Sequence, residues 1–418
     1  MKIARPWLLV VVAASLGLPA TAFAHATLTH AEPASGSTLA SCPSQVRLVF
    51  SEALEPTLTR LALDGTVKAS ALDPHDVHAA IAPLECLAPG AHTVTWSVVS
   101  ADGHKVQGTY RFTIAGVAPD SALVAPTSAP PVVTLDSVVP KRDSVVAVPA
   151  TEVPALAAFL RGAALVALMS FAGLLFFRDK RLPVRFSQGE TMLAIAVPLL
   201  IAAHHAAWMV SVDDAHTLSF TTASLKTMQA HIELWRLGLS VMALWALVLA
   251  RRRSLAAIFA MAAVAAGGAM GHPAAIHPEG TIAAKALHLV AGAVWLGGLL
   301  HLVTLGRSDR GAFERQASRV STWALGSVVV ILLSGVIQWR YFLPTFALTH
   351  STYGIVLLAK ITGMLLLLAL GAHHRYRVLP KLRASGGFGA SLRAEIALMV
   401  LVAMLGGLLA YTSIPVAP

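Results

Sequence analysis

"VTWSVVSADGHKVQGTYRF", residues 94–112, decides how the first quarter of the chain reads. Val94, Trp96 and Val98 alternate with polar residues before the Asp102-Gly103-His104 triplet, and Tyr110 and Phe112 alternate after it. A period of two sends successive side chains to opposite faces of a strand, so one face is built for burial. Working outward, "QVRLVFS" (45–51), "LTRLALD" (58–64), "HTVTWSVVS" (92–100) and "TYRFTIAG" (109–116) repeat this pattern between Gly, Pro and Asp punctuation. Closely spaced short strands over residues 25–116 predict an all-β Greek-key sandwich or barrel. Its expected core is Leu48, Phe50, Leu61, Val94, Trp96, Val98, Tyr110 and Phe112.

Upstream of that domain, Lys2 and Arg5 precede an apolar run from Trp7 to Leu18 and an Ala22-Phe23-Ala24 triplet. This is the layout of a secretory signal over residues 1–24, and cleavage after Ala24 would make His25 the first residue. An uncleaved signal anchor is the alternative. The chain has 2 cysteines, Cys42 and Cys86. Both lie in the segment an export signal delivers to an oxidising compartment, so either a single bridge or a pair of free thiols is expected.

Downstream, residues 117–150 are rich in Pro, Ala, Val and Ser without a period that could bury a face, and read as a semi-extended tether. The whole chain is 56% apolar and 12% charged, against about 25% charged in soluble globular proteins. From residue 151 onward, eight apolar spans follow, near 154–177, 190–211, 230–250, 255–271, 284–305, 320–340, 352–373 and 392–412. Lipid leaves backbone groups no partner outside their own segment, so these are transmembrane helices of an all-α polytopic bundle. The net charge of +10 does not point to nucleic acid. Arginines and lysines crowd alternate loops, among them Arg251, Arg252 and Arg253, which places those loops in the cytoplasm and both the β domain and the C-terminus in the periplasm.

A terminal His25 would offer an α-amine and an imidazole from one residue, a chelating pair whose amine proton a divalent metal displaces near neutral pH. On an extended strand Asp102 and His104 share a face. Three nitrogens and one oxygen suit tetragonal Cu(II). The stretches "HATLTHAEPASGSTL" (25–39), "VRLVFSEAL" (46–54) and the opening 94–112 segment resemble the CopC family of periplasmic copper-binding proteins. The resemblance implies a cupredoxin-like Greek-key β-barrel with Cu(II) held by His25, Asp102 and His104, and with Glu52 in or near the site. Some members carry a Met-rich Cu(I) loop; between His25 and Ala150 there is no methionine. His75 and His78, with His30 and His92, are expected as solvent-exposed loop histidines.

In the helical half, histidines gather toward one membrane face: His204 and His205, His231, His272 and His277, and His288, with Met209 and Met270 at the same level. Ionisable side chains inside a bilayer are expensive, so these residues read as a copper path with Cu(I) as its soft cargo. Neutral histidines packed between helices would look the same in sequence. His301, His373 and His374 fall near the opposite end. "HLVAGAVWLGGLLHL" (288–302), "THSTYGIVLLAKITGMLLLLALGAHHRYR" (349–377) and "ELWRLGL" (233–239) are similar to the CopD family of polytopic copper-resistance proteins, and the arrangement as a whole resembles CopC–CopD fusions. That resemblance implicates His288, Trp295, Gly297, Gly298, Tyr353, Gly354 and Lys360, the two glycines having close helix contact as their simpler reading.

The expected function is copper capture and transport across a bacterial inner membrane, serving homeostasis or resistance, without enzymatic turnover. Copper ion and the lipid bilayer are the expected partners, with periplasmic copper chaperones as candidates. No P-loop is present, so no nucleotide partner is expected. Two alternatives stand beside this reading. The helices could form a haem-b electron carrier that reduces periplasmic copper, or the terminal histidine could serve a copper monooxygenase.

Overall fold

The computed structural model describes residues 27–101, 103–115, 146–147, 154–178, 188–212, 222–271, 278–308, 310–342, 351–381 and 388–412. The chain divides into two units, one built on Ala26–Ser100 with Lys105–Ala150, the other on Thr151–Pro418 together with Ala101–His104.

The first unit is a β-sandwich. β1 (Leu28–Glu32), β3 (Gln45–Phe50), β7 (Asp76–Pro83) and β6 (Ala71–Asp73) form one sheet in the order β1-β3-β7-β6. The other runs β10 (Val146–Ala147), β9 (Lys105–Ile114), β8 (Gly90–Val99), β4 (Arg60–Leu63), β5 (Thr66–Lys68), with β2 (Thr38–Leu39) joining β9 in parallel. All eight expected core residues are buried, none more than 4% exposed. Trp96 packs edge-on to Phe50 across the sheets at 6.5 Å between ring centroids, the interlocking that makes aromatic residues dominate small cores.

The sequence reading missed β7, because His75 and His78 suggested a loop. Asp76–Pro83 is a central strand that buries Ala79, Ala80 and Ala82 with His78 on its exposed face. His92 departs further from expectation. It lies in β8 at 9% exposure, bonded through Nδ1 to Asp64 (2.8 Å) and through Nε2 to the Ala88 carbonyl (2.8 Å). His30 lies in β1, exposed and paired with Glu32.

The second unit is helical: α1 (Ala155–Phe177), α2 (Gln188–Val212), α3 (Met228–Val248), α4 (Arg253–Ala266), α5 (Pro278–Ser308), α6 (Arg310–Phe342), α7 (Thr352–His373) and α8 (Phe388–Leu409). These match the eight expected spans. Seven are long and apolar enough to cross a membrane, while α4 with its 3₁₀ extension Gly267–Ala269 is the shorter eighth. The chain is therefore a multi-pass membrane protein. Side-chain oxygens of Thr227 and Ser351 cap α3 and α7 by accepting the Ala230 and Gly354 N–H groups. Leu199, Val210, Trp235, Leu333 and Val336 are exposed, as helices facing hydrocarbon require.

α1 and α5 are the most enclosed helices, and they meet at Gly173 and Gly297. A Cβ on Gly173 would collide with the Ala293 carbonyl, and one on Gly297 with the backbone of Gly173. Backbone meets backbone here, so only glycine fits and the close-contact reading of Gly297 holds.

Candidate metal-handling site

Three segments of the sandwich converge at one end. Thr27 donates its N–H to Ser51 Oγ at 2.9 Å and receives the Ser51 N–H on its carbonyl at 2.9 Å, which fixes the start of the first strand beside Glu52. Leu54 bridges to Ser100, and the Glu55 N–H bonds the Val99 carbonyl at 2.7 Å. The segment after Glu52 is thereby held against the segment before Asp102. Val99 pairs with Lys105, so residues 100–104 connect two antiparallel strands, and His104 enters from a turn rather than from the extended strand assumed above.

Of the expected ligands, Glu52 is half-buried and His104 is 6% exposed. His25 and Asp102 lie outside the described residues, as do the leader 1–24 and most of the tether. Gly103 has φ of +94°, a conformation that favours glycine, and its carbonyl accepts the Trp208 indole N–H at 2.9 Å. A Cβ there would collide with the Gln229 amide. The His104 ring stands edge-on to Tyr411 at 6.0 Å.

Cys42 and Cys86 are thiols in this structure. Cys42 Sγ accepts the Leu87 N–H at 2.9 Å. The hydrogen bond between the two cysteines, then burial, raises the Cys86 pKa above its ordinary value. Elsewhere in the sandwich, bonds from Asp64 and then Ala88 raise the His92 pKa, and the His92 bond followed by the Thr93 N–H lowers that of Asp64.

Within the helices the expected histidines sort by what their nitrogens already do. His204 is 1% exposed and fully committed, with Nδ1 3.0 Å from Glu233 Oε1 and Nε2 2.8 Å from the Tyr411 hydroxyl. A carboxylate only accepts, so Nδ1 carries the proton. His288 Nδ1 lies 3.0 Å from Ser334 Oγ; that hydroxyl donates to backbone carbonyls, so the imidazole donates to it and ties α5 to α6. His205, by contrast, has two buried ring nitrogens without a hydrogen-bond partner. His231 is exposed at the start of α3, and His272 and His277 lie outside the described residues. Met209 Sδ accepts from Ser224 Oγ at 3.2 Å, and Met270 Sδ from Arg236 Nη1 at 3.2 Å.

Sequence reasoning missed the charged residues that organise this cluster. Glu233, 2% exposed, also takes Arg236 Nη1 at 3.2 Å; Lys285 donates to the Met270 carbonyl; Arg161 lies over the Tyr411 ring at 5.5 Å. Ionisable residues inside apolar spans were the available signal, and Glu-x-x-Arg stood in the quoted "ELWRLGL". A second group was also missed. Glu395 accepts from Trp295 Nε1 at 3.1 Å and from His374 Nδ1, beside a cavity of about 350 Å³ that Arg375, Tyr376 and Ser321 also line. His301 stacks on Phe177, and His373 is exposed.

Among the described residues, no group of three or more His, Cys, Asp or Glu converges to hold a metal ion.

The CopC domain family matches residues 28–115, and the family described as copper resistance protein D matches residues 314–409. The second match covers the last three helices, less than the 154–412 stretch suggested by the sequence reading. The copper transport protein CutJ of Bacillus subtilis is 25% identical over 99% of this chain and 78% of its own length. Protein YobA of Escherichia coli K12 is 36% identical over 25% of this chain and 90% of its own. The crystal structure of CopC from Methylosinus trichosporium OB3b aligns over 24% of this chain and 100% of its own at 27% identity, with a TM-score of 0.21.

Proposed function

Since this chain belongs to the CopC family and carries a CopD domain in the same polypeptide, we propose that it captures Cu(II) with its β domain and passes copper through its helices into the cell. Homology to copper transport and resistance proteins supports copper handling in general. Those relatives are not enzymes by name, and the chain acts here as a carrier without turnover.

The observation that carries the proposal is the convergence at the end of the sandwich. The Thr27–Ser51 bonds and the Leu54–Ser100 bridge hold the beginning of the first strand, the Glu52 segment and the end of β8 at Ser100 together. One residue, Ala26, separates Thr27 from His25, so two residue steps, at most about 7 Å of chain, span the gap. On this reading residues 1–24 are a cleaved signal, 25–116 the copper-binding domain, 117–150 a tether and 151–418 the membrane domain. His25 supplies its amine and ring, Asp102 and His104 complete the set, and Glu52 adds a carboxylate at its edge. The protein sits in the inner membrane with its β domain and C-terminus in the periplasm.

Titration of the purified full-length protein with Cu(II), followed by electron paramagnetic resonance and calorimetry, tests the ligand set. Replacing His104 by Ala, or extending the mature terminus by one Gly ahead of His25, should abolish the high-affinity equivalent. Undiminished affinity in both variants overturns the assignment. Radiocopper uptake by cells carrying the intact protein, against a His288→Ala strain, tests the direction of transport.

A further inference from the structure

His204 and His205 are neighbours in sequence but about 100° apart around α2. The first is spent on structure, with one nitrogen on Glu233 and the other on Tyr411. The second is different. Both of its nitrogens are shielded from solvent, and neither meets a donor or an acceptor. An imidazole always carries at least one N–H, and in its neutral form a lone pair as well, so a ring buried in this way leaves a strong ligand atom unused.

One turn along α2, Met209 stands at the i+4 position, on the same helix face and close enough for both side chains to reach one ion. Its thioether accepts one hydrogen bond, from Ser224, and sulfur keeps a second lone pair. Gln229, on the neighbouring α3 and 4% exposed, adds a buried Oε1 without a donor beside the Trp208 indole that His205 also packs against. The unused atoms are thus one imidazole nitrogen, one thioether and one amide oxygen, all neutral.

A hard or borderline divalent ion would need carboxylates or several imidazoles, and no such group of three exists among the described residues. A soft monovalent d¹⁰ ion with low coordination number suits nitrogen and thioether donors without anionic ligands. We propose that His205 and Met209 form a low-coordinate Cu(I) site on α2, with His204 as the positioning residue that fixes the helix through Glu233 and Tyr411. This rests on the copper-carrier reading and narrows it, because only one of the paired histidines touches the cargo.

The test uses full-length protein in detergent, loaded with Cu(I) under anaerobic conditions in competition with a chromophoric Cu(I) chelator. Cu(II) bound at the β domain is counted separately by electron paramagnetic resonance. Wild type should hold a Cu(I) equivalent whose X-ray absorption shows nitrogen and sulfur scattering. Both His205→Asn and Met209→Leu should weaken it at least tenfold, and Met209→Leu should also remove the sulfur signal. His204→Asn should keep the equivalent while lowering the melting temperature. Retention of the equivalent in both His205→Asn and Met209→Leu overturns the site, as does wild-type copper without sulfur scattering. Wild type that binds Cu(II) but no Cu(I) sinks this site alone. Wild type that binds neither sinks the copper-carrier reading with it.

Discussion

His204 Nδ1 stands 3.0 Å from Glu233 Oε1, and the same oxygen takes Arg236 Nη1 at 3.2 Å, so one buried carboxylate holds an imidazole from α2 and a guanidinium from its own helix. Glu233→Gln keeps the shape and removes the charge, leaving Arg236 buried against a neutral amide. Breaking one partner of a buried ion pair costs about 3–5 kcal/mol. Thermal unfolding in micelles should show that loss. The double variant Glu233→Gln/Arg236→Met should regain part of it, because the orphaned cation is gone.

The two glycines of the Trp-Leu-Gly-Gly motif should differ in their tolerance of alanine. A Cβ at Gly297 meets the Gly173 backbone, whereas one at Gly298 meets the side chains of Val320 and Phe177, which can rotate. Overpacking costs about 1–3 kcal/mol where neighbours can yield, and more where they cannot. Gly297→Ala should therefore cut the monodisperse yield after size-exclusion chromatography more than Gly298→Ala does.

The His92–Asp64 pair sets a pH window for the sandwich. The raised His92 pKa means its contribution is complete below the ordinary 6.5 and fades as pH rises through the folded value. The lowered Asp64 pKa means its contribution is complete above the ordinary 3.8 and fades as pH falls through the folded value. The two overlap most fully between about pH 4 and 6.5. Asp64→Asn should flatten that part of the stability profile and return the His92 pKa toward its ordinary value, readable from the imidazole proton shifts.

Cys42 and Cys86 stand ready to be joined under oxidising conditions. A bridge closing that loop would stabilise the domain by about 4 kcal/mol in the chain-entropy account. Full-length protein purified from membranes without reductant should show no free thiol to Ellman's reagent. Cys86→Ser should lower its melting temperature to that of reduced wild type.

Much of the architecture was legible because it follows from period and composition. Strands with one apolar face announced themselves, from Val46 to Phe50 and from Val94 to Val98, and hydrocarbon leaves apolar spans no alternative to helix. β7 escaped because Asp76, His78 and a run of alanines imitate a loop; its burial comes from the flanking strands β3 and β6, which periodicity within the segment cannot reveal. The division of labour between His204 and His205 was equally hidden. It depends on Glu233 and Tyr411, which lie 29 and 207 positions from His204 along the chain and meet it only through the fold, and no local pattern encodes such a partner.

The seam between α1 and α5 restricts how this membrane domain can move. With Gly173 and Gly297 in backbone contact, the two helices cannot shear past one another without driving a carbonyl into a neighbouring turn. Sliding rearrangement is closed to the centre of the bundle. Larger motion is left to helices outside that seam, α7 foremost, since most of its side chains face hydrocarbon, whereas the His288–Ser334 bond ties α6 to the rigid spine.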